Sequence, residues 1–309
     1  MTTALERYFT PLRYPGGKAK LAPYVKSILE KNELLDGHYA EAYAGGAAVA
    51  MELLLHEYVS HIHINDISKP LYQFWTSVLN RTDEVSRKIR DTRLSVPSWD
   101  RQKRIFLRPD DHDELEVGFA FFFLNRTNRS GILRGGVIGG REQTGKWKID
   151  ARYNAPGLIG RVEAIAKLRS RISVYNEDAM AFIRRLLPEL PEKSLIYLDP
   201  PYYVKGKDLY LDYYDHDDHR RIANYIARVR RTNWIVSYDD VEAVRALYAP
   251  FRGIQYELDY SARDRRTGNE VMYFGDGLKI PRTVDAFARL DRIARRRYGA
   301  GRTRPRATP

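Results

Sequence analysis

The sequence has 309 residues, of which 43% are hydrophobic and 30% are charged, with a formal net charge of +12 and no cysteine. The lack of cysteine excludes disulfides, thiolate metal sites and cysteine nucleophiles; no apolar run approaches the roughly 20 residues that span a bilayer, and the N-terminus lacks the apolar segment of a signal peptide. We therefore expect a cytoplasmic protein of one large domain plus a smaller one, with a polyanionic partner.

The first half of the chain begins with alternating strand and helix patterns. Residues 38–50 predict a strand that runs into a glycine turn and then a helix, and residues 59–66 alternate apolar and polar side chains as a strand does. Helices are predicted at 71–90 and at 116–128. The glycine-rich, basic segment 130–150 is typical of a hairpin or a mobile loop.

The second half returns to the same alternation. Strands are predicted at 171–176, 194–199, 233–238 and 270–274, with helices at 179–187, 217–231 and 240–248. Strands that alternate with helices indicate an α/β fold with a doubly wound sheet.

The break in this rhythm predicts how the chain is divided. We expect 1–70 and 156–280 to form one catalytic domain, with 71–155 inserted in it as a helical and hairpin subdomain. The remaining segment, 281–309, carries nine arginines against two aspartates. Such a tail adds sequence-independent affinity for phosphates, although a solvated terminus explains its composition equally well.

Two turns in the sequence suit a small-molecule ligand. In AEAYAGGAAV, residues 40–49, glycines follow the first strand and let the backbone approach a nucleotide-like group. Alone, the pattern fits helix–sheet packing as well, but Asp66 ends the second strand, where a carboxylate suits ribose hydroxyls. In RYPGGKAKL, residues 13–21, Lys18 stands beside a turn and suits a carboxylate or phosphate, unless it is merely solvated.

A third motif ends the strand at 194–199. Asp199 is followed by Pro200, Pro201 and Tyr202. Prolines fix the φ angles, so the Asp199 carboxylate and the Pro200 carbonyl become rigid acceptors that can receive both hydrogens of a planar amino group. The aromatic ring that follows can stack on the base that carries this group.

In this order, RYPGGK, EAYAGGA, the strand ending at Asp66, the NED of 176–178 and DPPY resemble the motifs of the Dam-type (class alpha, D12 family) DNA adenine-N6 methyltransferases. FLNRTNRSGIL, 123–133, is similar to the family's helix and loop before its DNA-reading hairpin, and SARDRRTGNEVMYF, 261–274, is similar to its closing segment. The turn departs from the family in Ala42, where proline is common, and in Gly46-Ala47, where an x-Gly order is more frequent.

This resemblance implies a Rossmann-like sheet that uses S-adenosylmethionine, with a target-recognition insertion. The positions that match the family's cofactor-binding motifs are Tyr14, Lys18, Glu41, Tyr43, Gly45, Asp66 and Asp178. Within that set, the resemblance assigns Lys18 to the cofactor's carboxylate and Asp66 to its ribose. It further implies that Asp199 and Pro200, stiffened by Pro201, hold the target amino group and that Tyr202 stacks on the flipped base.

The expected reaction is methyl transfer to N6 of a flipped-out adenine in double-stranded DNA, by a monomer that needs neither a metal nor a membrane. The residues expected to contact DNA are Asn125, Arg126, Asn128, Arg129, Arg134, Arg141 and Lys146. A polar cluster that caps a buried helix explains the first four equally well. A restriction-modification system is one setting in which such an enzyme occurs.

Other interpretations remain open at this point. An RNA or cytosine-N4 methyltransferase uses related motifs, although Asp rather than Ser or Asn at position 199 favours adenine. A DNA-binding protein that keeps the fold without turnover is a further alternative. Three local patterns are less specific: GREQTGKW, 140–147, lacks the Ser or Thr of a phosphate loop; the histidines of HEYVSH, 56–61, are wrongly spaced for zinc; and DHDDH, 215–219, suits a helix start better than a metal.

Overall fold

The computed structural model describes residues 9–13, 18–203, 214–260, 266–281 and 291–293. Within this part of the chain, eight strands form one sheet in the order β3-β2-β1-β4-β5-β7-β6-β8. The strands are β1 (Gly37–Glu41), β2 (Val59–Asn65), β3 (Ile172–Tyr175), β4 (Ser194–Leu198), β5 (Asn233–Asp239), β6 (Arg252–Tyr260), β7 (Arg266–Phe274) and β8 (Asp291–Ile293).

The first five strands are parallel to their neighbours, and β7, β6 and β8 continue the sheet in antiparallel pairs. The chain builds outward from β1 through β2 to β3, then returns to place β4 and β5 on the other side. This reversal creates a crevice outside the carboxyl ends of β1 and β4, which is where ligands bind in open α/β sheets. The predicted α/β fold with a doubly wound, Rossmann-like sheet is confirmed.

Helices cover both faces of the sheet. In the described residues they are α1 (Ala22–Lys31), α2 (Ala48–Leu55), α3 (Lys69–Asn80), α4 (Thr82–Asp91), α5 (Val96–Leu107), α6 (Glu114–Thr127), α7 (Ala155–Ala166), α8 (Ala179–Leu186), α9 (His216–Ile226) and α10 (Glu242–Leu247). None of them is long and apolar enough to cross a membrane.

The core lies in two layers because side chains of a strand alternate between the faces of the sheet. In β4, Leu195 and Tyr197 belong to the cluster that includes α1, α2, α3 and α6, whereas Ile196 and Leu198 belong to the cluster with α8, α9 and α10. All five residues of β4 are buried. A central parallel strand covered on both faces is expected to be apolar throughout.

Helix α6 approaches α3 closely through Gly118. A Cβ atom at this position would lie 2.7 Å from the backbone carbon of Gln73, so only glycine allows the contact. The rings of Phe74 and Phe122 then stack with their centroids 5.4 Å apart. The apolar run in the predicted helix 116–128 therefore packs against α3; the proposed division into a catalytic domain and an insertion stays a prediction.

The predicted helix 71–90 is interrupted at Arg81, where α3 ends and α4 begins. Arg81 has φ −130° and ψ 39°, outside the helical region. Asp83 and Glu84 occupy the first turn of α4, where carboxylates interact favourably with the helix dipole. The chain thus restarts a second helix with its own charged end.

The segment 130–150 is a turn-rich loop without the two strands of a hairpin. One antiparallel bridge, between Asn128 and Val137, is its only strand-like pairing in the described residues. Gly131, Gly139 and Gly140 have φ angles of 74°, 86° and 77°. These left-handed bends, which glycine adopts readily, turn the backbone too often for a regular ladder.

Candidate active site

The carboxyl ends of the parallel strands bring together residues that are far apart in the sequence. Glu41 is the last residue of β1, Asp66 follows β2, and Asp199 follows β4. β1 lies between β2 and β4 in the sheet, so these three carboxylates line one edge. This is the edge at which the sequence predicts the site.

The glycine turn after β1 is braced by Asp66. The backbone N–H of Gly45 donates to Asp66 Oδ2 at 3.0 Å, and the N–H of Ser68 donates to Oδ1 at 3.0 Å. Trp75 Nε1 donates to the Gly45 carbonyl at 3.2 Å. The Asp66 carboxylate therefore shapes the turn, and any contact with a ribose would be made by a group that is already oriented.

Ala47 is one of the positions at which this turn departs from the family pattern, and the departure strains the backbone. Its φ angle is 47°, in the left-handed region where a Cβ atom is unfavourable and glycine is preferred. The x-Gly order that is more frequent in the family places glycine at this position. The strained alanine directly precedes α2, whose first residue is Ala48.

Glu41 is a buried carboxyl group at the centre of the crevice. Its Oε1 accepts the backbone N–H of Ala50 at 3.0 Å and the hydroxyl of Tyr39 at 3.2 Å. Burial and, to a smaller extent, the negative charge of Asp199 raise the pKa of Glu41 to about 8, against the opposing effect of the two hydrogen bonds. No cation of the described chain pairs with Glu41, so the group is suited to a positively charged ligand.

Lys18 forms ion pairs with Asp199, which follows β4, and with a carboxylate on β7. Its Nζ lies 3.0 Å from Asp199 Oδ1 and 2.6 Å from Oε2 of Glu270 in β7. Burial alone would lower the pKa of Lys18, but Asp199 and Glu270 outweigh it and raise the pKa well above its ordinary value. The lysine is therefore charged at neutral pH and holds two carboxylates near each other.

Asp199 is also oriented by neutral groups. Ser237 Oγ donates to Asp199 Oδ1 at 2.6 Å and lies 2.7 Å from the hydroxyl of Tyr197. Lys18 and Ser237 thus both contact Oδ1, and Oδ2 accepts no hydrogen bond from a residue of the described segments. One oxygen of the Asp199 carboxylate is thus fixed by two side chains of the protein.

Tyr202 and Tyr203, which follow Asp199 and the two prolines, are both held by hydrogen bonds. The Tyr202 hydroxyl donates to Glu270 Oε1 at 3.1 Å, and Lys18 Nζ lies 5.8 Å from the centre of the Tyr202 ring. The N–H of Tyr203 donates to Asp239 Oδ1 at 2.9 Å, and its hydroxyl lies 2.8 Å from His216 Nδ1. Tyr203, for which the sequence predicts no role, anchors this loop to β5 and α9.

The other predicted cofactor residues lie around the same edge. The Tyr43 hydroxyl donates to that of Tyr214 at 3.2 Å. Asp178 caps α8, with Oδ1 accepting the N–H groups of Met180 at 2.9 Å and Ala181 at 3.1 Å. Tyr14 lies outside the described residues.

The asparagines predicted to contact DNA are buried and hydrogen-bonded within the protein. Asn125 exchanges hydrogen bonds with the backbone of Arg13, at 2.7 Å through Oδ1 and 2.6 Å through Nδ2. Asn128 Oδ1 accepts from Trp99 Nε1 at 2.6 Å, and its Nδ2 donates to the Ile132 carbonyl at 2.9 Å. The alternative interpretation, a polar cluster at the end of a buried helix, describes these two side chains.

The predicted basic residues of the loop are exposed. Arg129, Arg134, Arg141 and Lys146 all lie at its surface. Arg141 forms a bidentate pair with Asp100, with both N···O distances 2.9 Å. These side chains give the loop a basic surface.

The less specific patterns have structural explanations. Asp215 caps α9 in a capping box with Asp218. His56 contacts Glu52 at 2.9 Å, whereas His61 lies 2.8 Å from Ser173 Oγ, so the two histidines have separate partners. Over the described ranges, no group of three or more potential ligands could hold a metal ion.

A comparison with protein families agrees with this geometry. The family model described as D12 class N6 adenine-specific DNA methyltransferase matches residues 14–261, most of the chain. The chain belongs to this D12 methyltransferase family. Membership makes it an enzyme of methyl transfer to DNA, and the family's chemistry depends on S-adenosylmethionine.

Two solved structures are similar to this D12 methyltransferase, both at low identity and low TM-score. The rRNA methyltransferase aviRa from Streptomyces viridochromogenes is 14% identical, with 84% of this chain and 86% of that chain covered and a TM-score of 0.37. A protein of Legionella pneumophila str. Philadelphia 1, LPL1258, is 11% identical over 84% and 86% of the two chains, with a TM-score of 0.33. No curated protein matches the sequence.

Sequence patterns did not indicate three side chains of this D12 methyltransferase site: Tyr197, Ser237 and Glu270. Each lies inside a strand and is buried. Of the three, Glu270 had the clearest signal in the sequence, because a carboxylate in the mostly apolar strand NEVMYF indicates a buried ion pair. Its partner, Lys18, is too distant in the chain to be identified from the pattern.

We predict that the charge of Glu41 destabilises the ligand-free D12 methyltransferase at alkaline pH. The folded protein holds this proton up to a pKa of about 8, whereas an unfolded glutamate releases it near about 4.3. Stability is therefore lost as the pH rises from about 4.5 to about 8. Glu41→Gln keeps the acceptor oxygen without the charge and should gain up to about 3 kcal/mol over wild type between pH 5.5 and 8.5.

Thermal unfolding of both proteins at the two pH values, without cofactor, measures this difference. Glu57→Gln, at a carboxylate with a 69% exposed side chain, is the matched control and should follow wild type. Parallel pH dependences of wild type and Glu41→Gln would show that the buried charge has no such cost.

Proposed function

We propose that this protein transfers the methyl group of S-adenosylmethionine to N6 of an adenine that is flipped out of double-stranded DNA. The observation that carries the proposal is the state of Asp199. Lys18 and Ser237 hold its Oδ1, and Oδ2 accepts no hydrogen bond from the described part of the chain. With Pro200 and Pro201 fixing the backbone beside it, Asp199 is a preorganised acceptor for an amino group.

The chemistry of adenine requires such acceptors. Its exocyclic amine is a poor nucleophile because the nitrogen lone pair is delocalised into the ring. Asp199 Oδ2 and the Pro200 carbonyl accept the two amine hydrogens and favour the pyramidal nitrogen that attacks a methyl group. S-adenosylmethionine, when bound, would supply that methyl on a sulfonium. As the nitrogen–methyl bond forms, the sulfur–methyl bond would break, the sulfur would leave as a neutral thioether, and the methylated nitrogen would release one proton. The protein's contribution is positioning and electrostatic stabilisation.

Base flipping follows from the location of the acceptors. An amine inside a stacked duplex cannot reach a carboxylate at the tip of a β-strand, so the base must leave the stack. The Tyr202 ring stacks on the extruded adenine, with its hydroxyl tied to Glu270.

The cofactor is held in the part of the crevice that lies at the carboxyl ends of β1 and β2. Glu41 pairs with the ammonium of the methionine moiety, since its carboxylate is buried and has no described cation as a partner. The Gly45 turn, braced by Asp66, receives the ribose, and Asp178 and Tyr43 line the remainder. Lys18, which the family resemblance assigns to the cofactor's carboxylate, contacts Asp199 and Glu270, so we place it at the target amine instead.

The DNA backbone is contacted by a cluster of arginines around Arg126 and by the exposed basic residues of the loop. Arg126 donates to the Arg152 carbonyl from Nε at 2.8 Å. Burial, together with the positive charges of Arg13, Arg161 and Arg152, lowers the pKa of Arg126 to about 9. Four guanidinium groups so close together favour an anion among them, which suits a phosphate. Arg129, Arg134, Arg141 and Lys146 extend the basic surface along the loop.

Two other functions use the same fold. A methyltransferase acting on RNA or on cytosine N4 would use the same cofactor crevice, and a silent DNA-binding protein would keep the basic surface. The preorganised Asp199, held by Lys18 and Ser237 at the carboxyl end of β4, favours an active enzyme over a silent DNA-binding protein. The choice of Asp at this position favours adenine.

We predict that the wild type transfers labelled methyl from S-adenosylmethionine to unmethylated duplex DNA and that Asp199→Ala reduces the rate at least about 1000-fold, since it removes the acceptor that activates the amine. Asp217→Asn, at an exposed carboxylate in α9 with its side chain 56% exposed, is the control and should retain wild-type activity. Scintillation counting of recovered DNA gives the rates. No incorporation into any DNA by the wild type would refute the proposed function. Methylation of RNA at the same rate as DNA would indicate the RNA methyltransferase instead.

We also predict that DNA quenches one tryptophan. Of the four tryptophans, Trp75, Trp99 and Trp234 are buried, whereas Trp147 is 62% exposed with Lys146 Nζ 5.7 Å from its ring centre. Duplex DNA should change the emission of the wild type, in a salt-dependent way, but not that of Trp147→Phe. If fluorescence anisotropy shows labelled DNA binding to the wild type while the emission stays constant, this loop does not contact DNA.

A further inference from the structure

We propose that Glu270 is a positioning residue for methyl transfer, which holds Lys18 and the Tyr202 ring in place around Asp199. The inference rests on the proposed roles of Asp199 and Tyr202. It gives a role to a residue of the segment SARDRRTGNEVMYF to which the family resemblance assigns none, and it predicts effects on the chemical step that a purely structural carboxylate would not produce.

Glu270 is almost completely buried, with 1% of its surface exposed. Its two oxygens make separate contacts. Oε2 accepts from Lys18 Nζ at 2.6 Å and from the Tyr256 hydroxyl at 2.8 Å, and Oε1 accepts from the Tyr202 hydroxyl at 3.1 Å. A charge removed so completely from water is retained only when its hydrogen bonds and a counter-ion compensate for the lost hydration.

The position of Glu270 in the sheet explains how it reaches this site. β7 runs antiparallel to β5, and Glu270 stands opposite Asp239, the last residue of β5. Its side chain therefore enters the carboxyl edge of the parallel strands from the neighbouring strand. Asp239 in turn binds the N–H of Tyr203 at 2.9 Å, so β5 and β7 both support the loop that follows Asp199.

The contacts give Glu270 two functions. Through Lys18 it shares the positive charge that would otherwise bind Asp199 alone, and Asp199 keeps more of its strength as an acceptor. Through Tyr202 it fixes the direction of the hydroxyl, and with it the plane of the ring on which the base stacks. Both functions act on groups that touch the reacting base, whereas the Glu41 and Asp66 crevice is left unchanged.

The test compares Glu270→Gln with wild type in steady-state methylation of duplex DNA. Glutamine keeps the shape but loses the charge, and we expect kcat to fall about 100-fold, the scale of a small misplacement near the reacting atoms. The affinity for S-adenosylmethionine by calorimetry should change less than about twofold, since the variant is remote from Glu41. Lys18 keeps one carboxylate instead of two, so the alkaline limb of the kcat profile should move to lower pH.

Controls separate positioning from folding. Tyr256→Phe removes one neutral hydrogen bond to Glu270 and should leave the pH profile unchanged, whereas Glu270→Asp restores the charge and should recover the alkaline limb. Tyr202→Phe breaks the same tether from the other end, so it should lower kcat about 10-fold even if Glu270→Gln proves too unstable to assay. Thermal unfolding establishes which variants are folded.

The outcomes are distinguishable. A wild type without activity refutes the proposed function itself. An active wild type with Glu270→Gln at the same kcat and the same pH profile overturns the role of Glu270 alone, and so does a loss of cofactor affinity that accounts for the whole loss of activity. A fall in kcat with a shifted alkaline limb and unchanged cofactor affinity supports it.

Discussion

The charge of Lys18 is the interaction on which the rest of the catalytic edge depends. Asp199 and Glu270 would repel each other and lose their hydration if they were buried together without a cation. Lys18 lies within 3.0 Å of one and 2.6 Å of the other, and its raised pKa keeps it charged. A single ammonium thus joins the N-terminal segment, the loop after β4 and strand β7.

The sheet topology determines which groups can meet there. Parallel strands end at one edge, which brings Glu41, Asp66 and Asp199 to the same crevice. The antiparallel strand β7 adds Glu270 from the side. We propose that the crevice is divided between two substrates, with the cofactor beside Glu41 and the target amine beside Asp199. The basic loop lies on α6, and Asn125 at the end of this helix binds the backbone of Arg13, five residues before Lys18.

Much of this arrangement could be predicted from the sequence because its signals are local. The strand ends that carry Asp66 and Asp199 and the glycine turn are short patterns, and each one predicts a ligand-binding group at the carboxyl end of a strand. Helix α5 gives a weaker signal because few of its residues, Trp99, Gln102 and Ile105, are buried. The loop 130–150 contains glycines that fit a hairpin or an irregular turn, and only the positive φ angles decide between them.

Contacts between residues that are far apart in the chain cannot be predicted from such local patterns. The asparagines at 125 and 128 look like DNA-reading groups in the sequence, but their partners, Arg13 and Trp99, are distant in the chain. Glu270 was missed for the same reason, since its contacts with Lys18 and Tyr202 arise from the folded sheet. Tyr256 is a similar case, because it lies opposite Glu270 only when β6 pairs with β7 in the folded sheet.

The central claim, that this edge methylates adenine in DNA, is tested most directly in cells. DNA from a host without adenine methylation that expresses the protein can be sequenced by a method that detects modified bases, with the Asp199→Ala variant as the control. The account predicts N6-methyladenine within one recurring short sequence, present with the wild type and absent with the variant. Methylation of cytosine N4, or DNA without any modified base from cells that contain the folded protein, would contradict it.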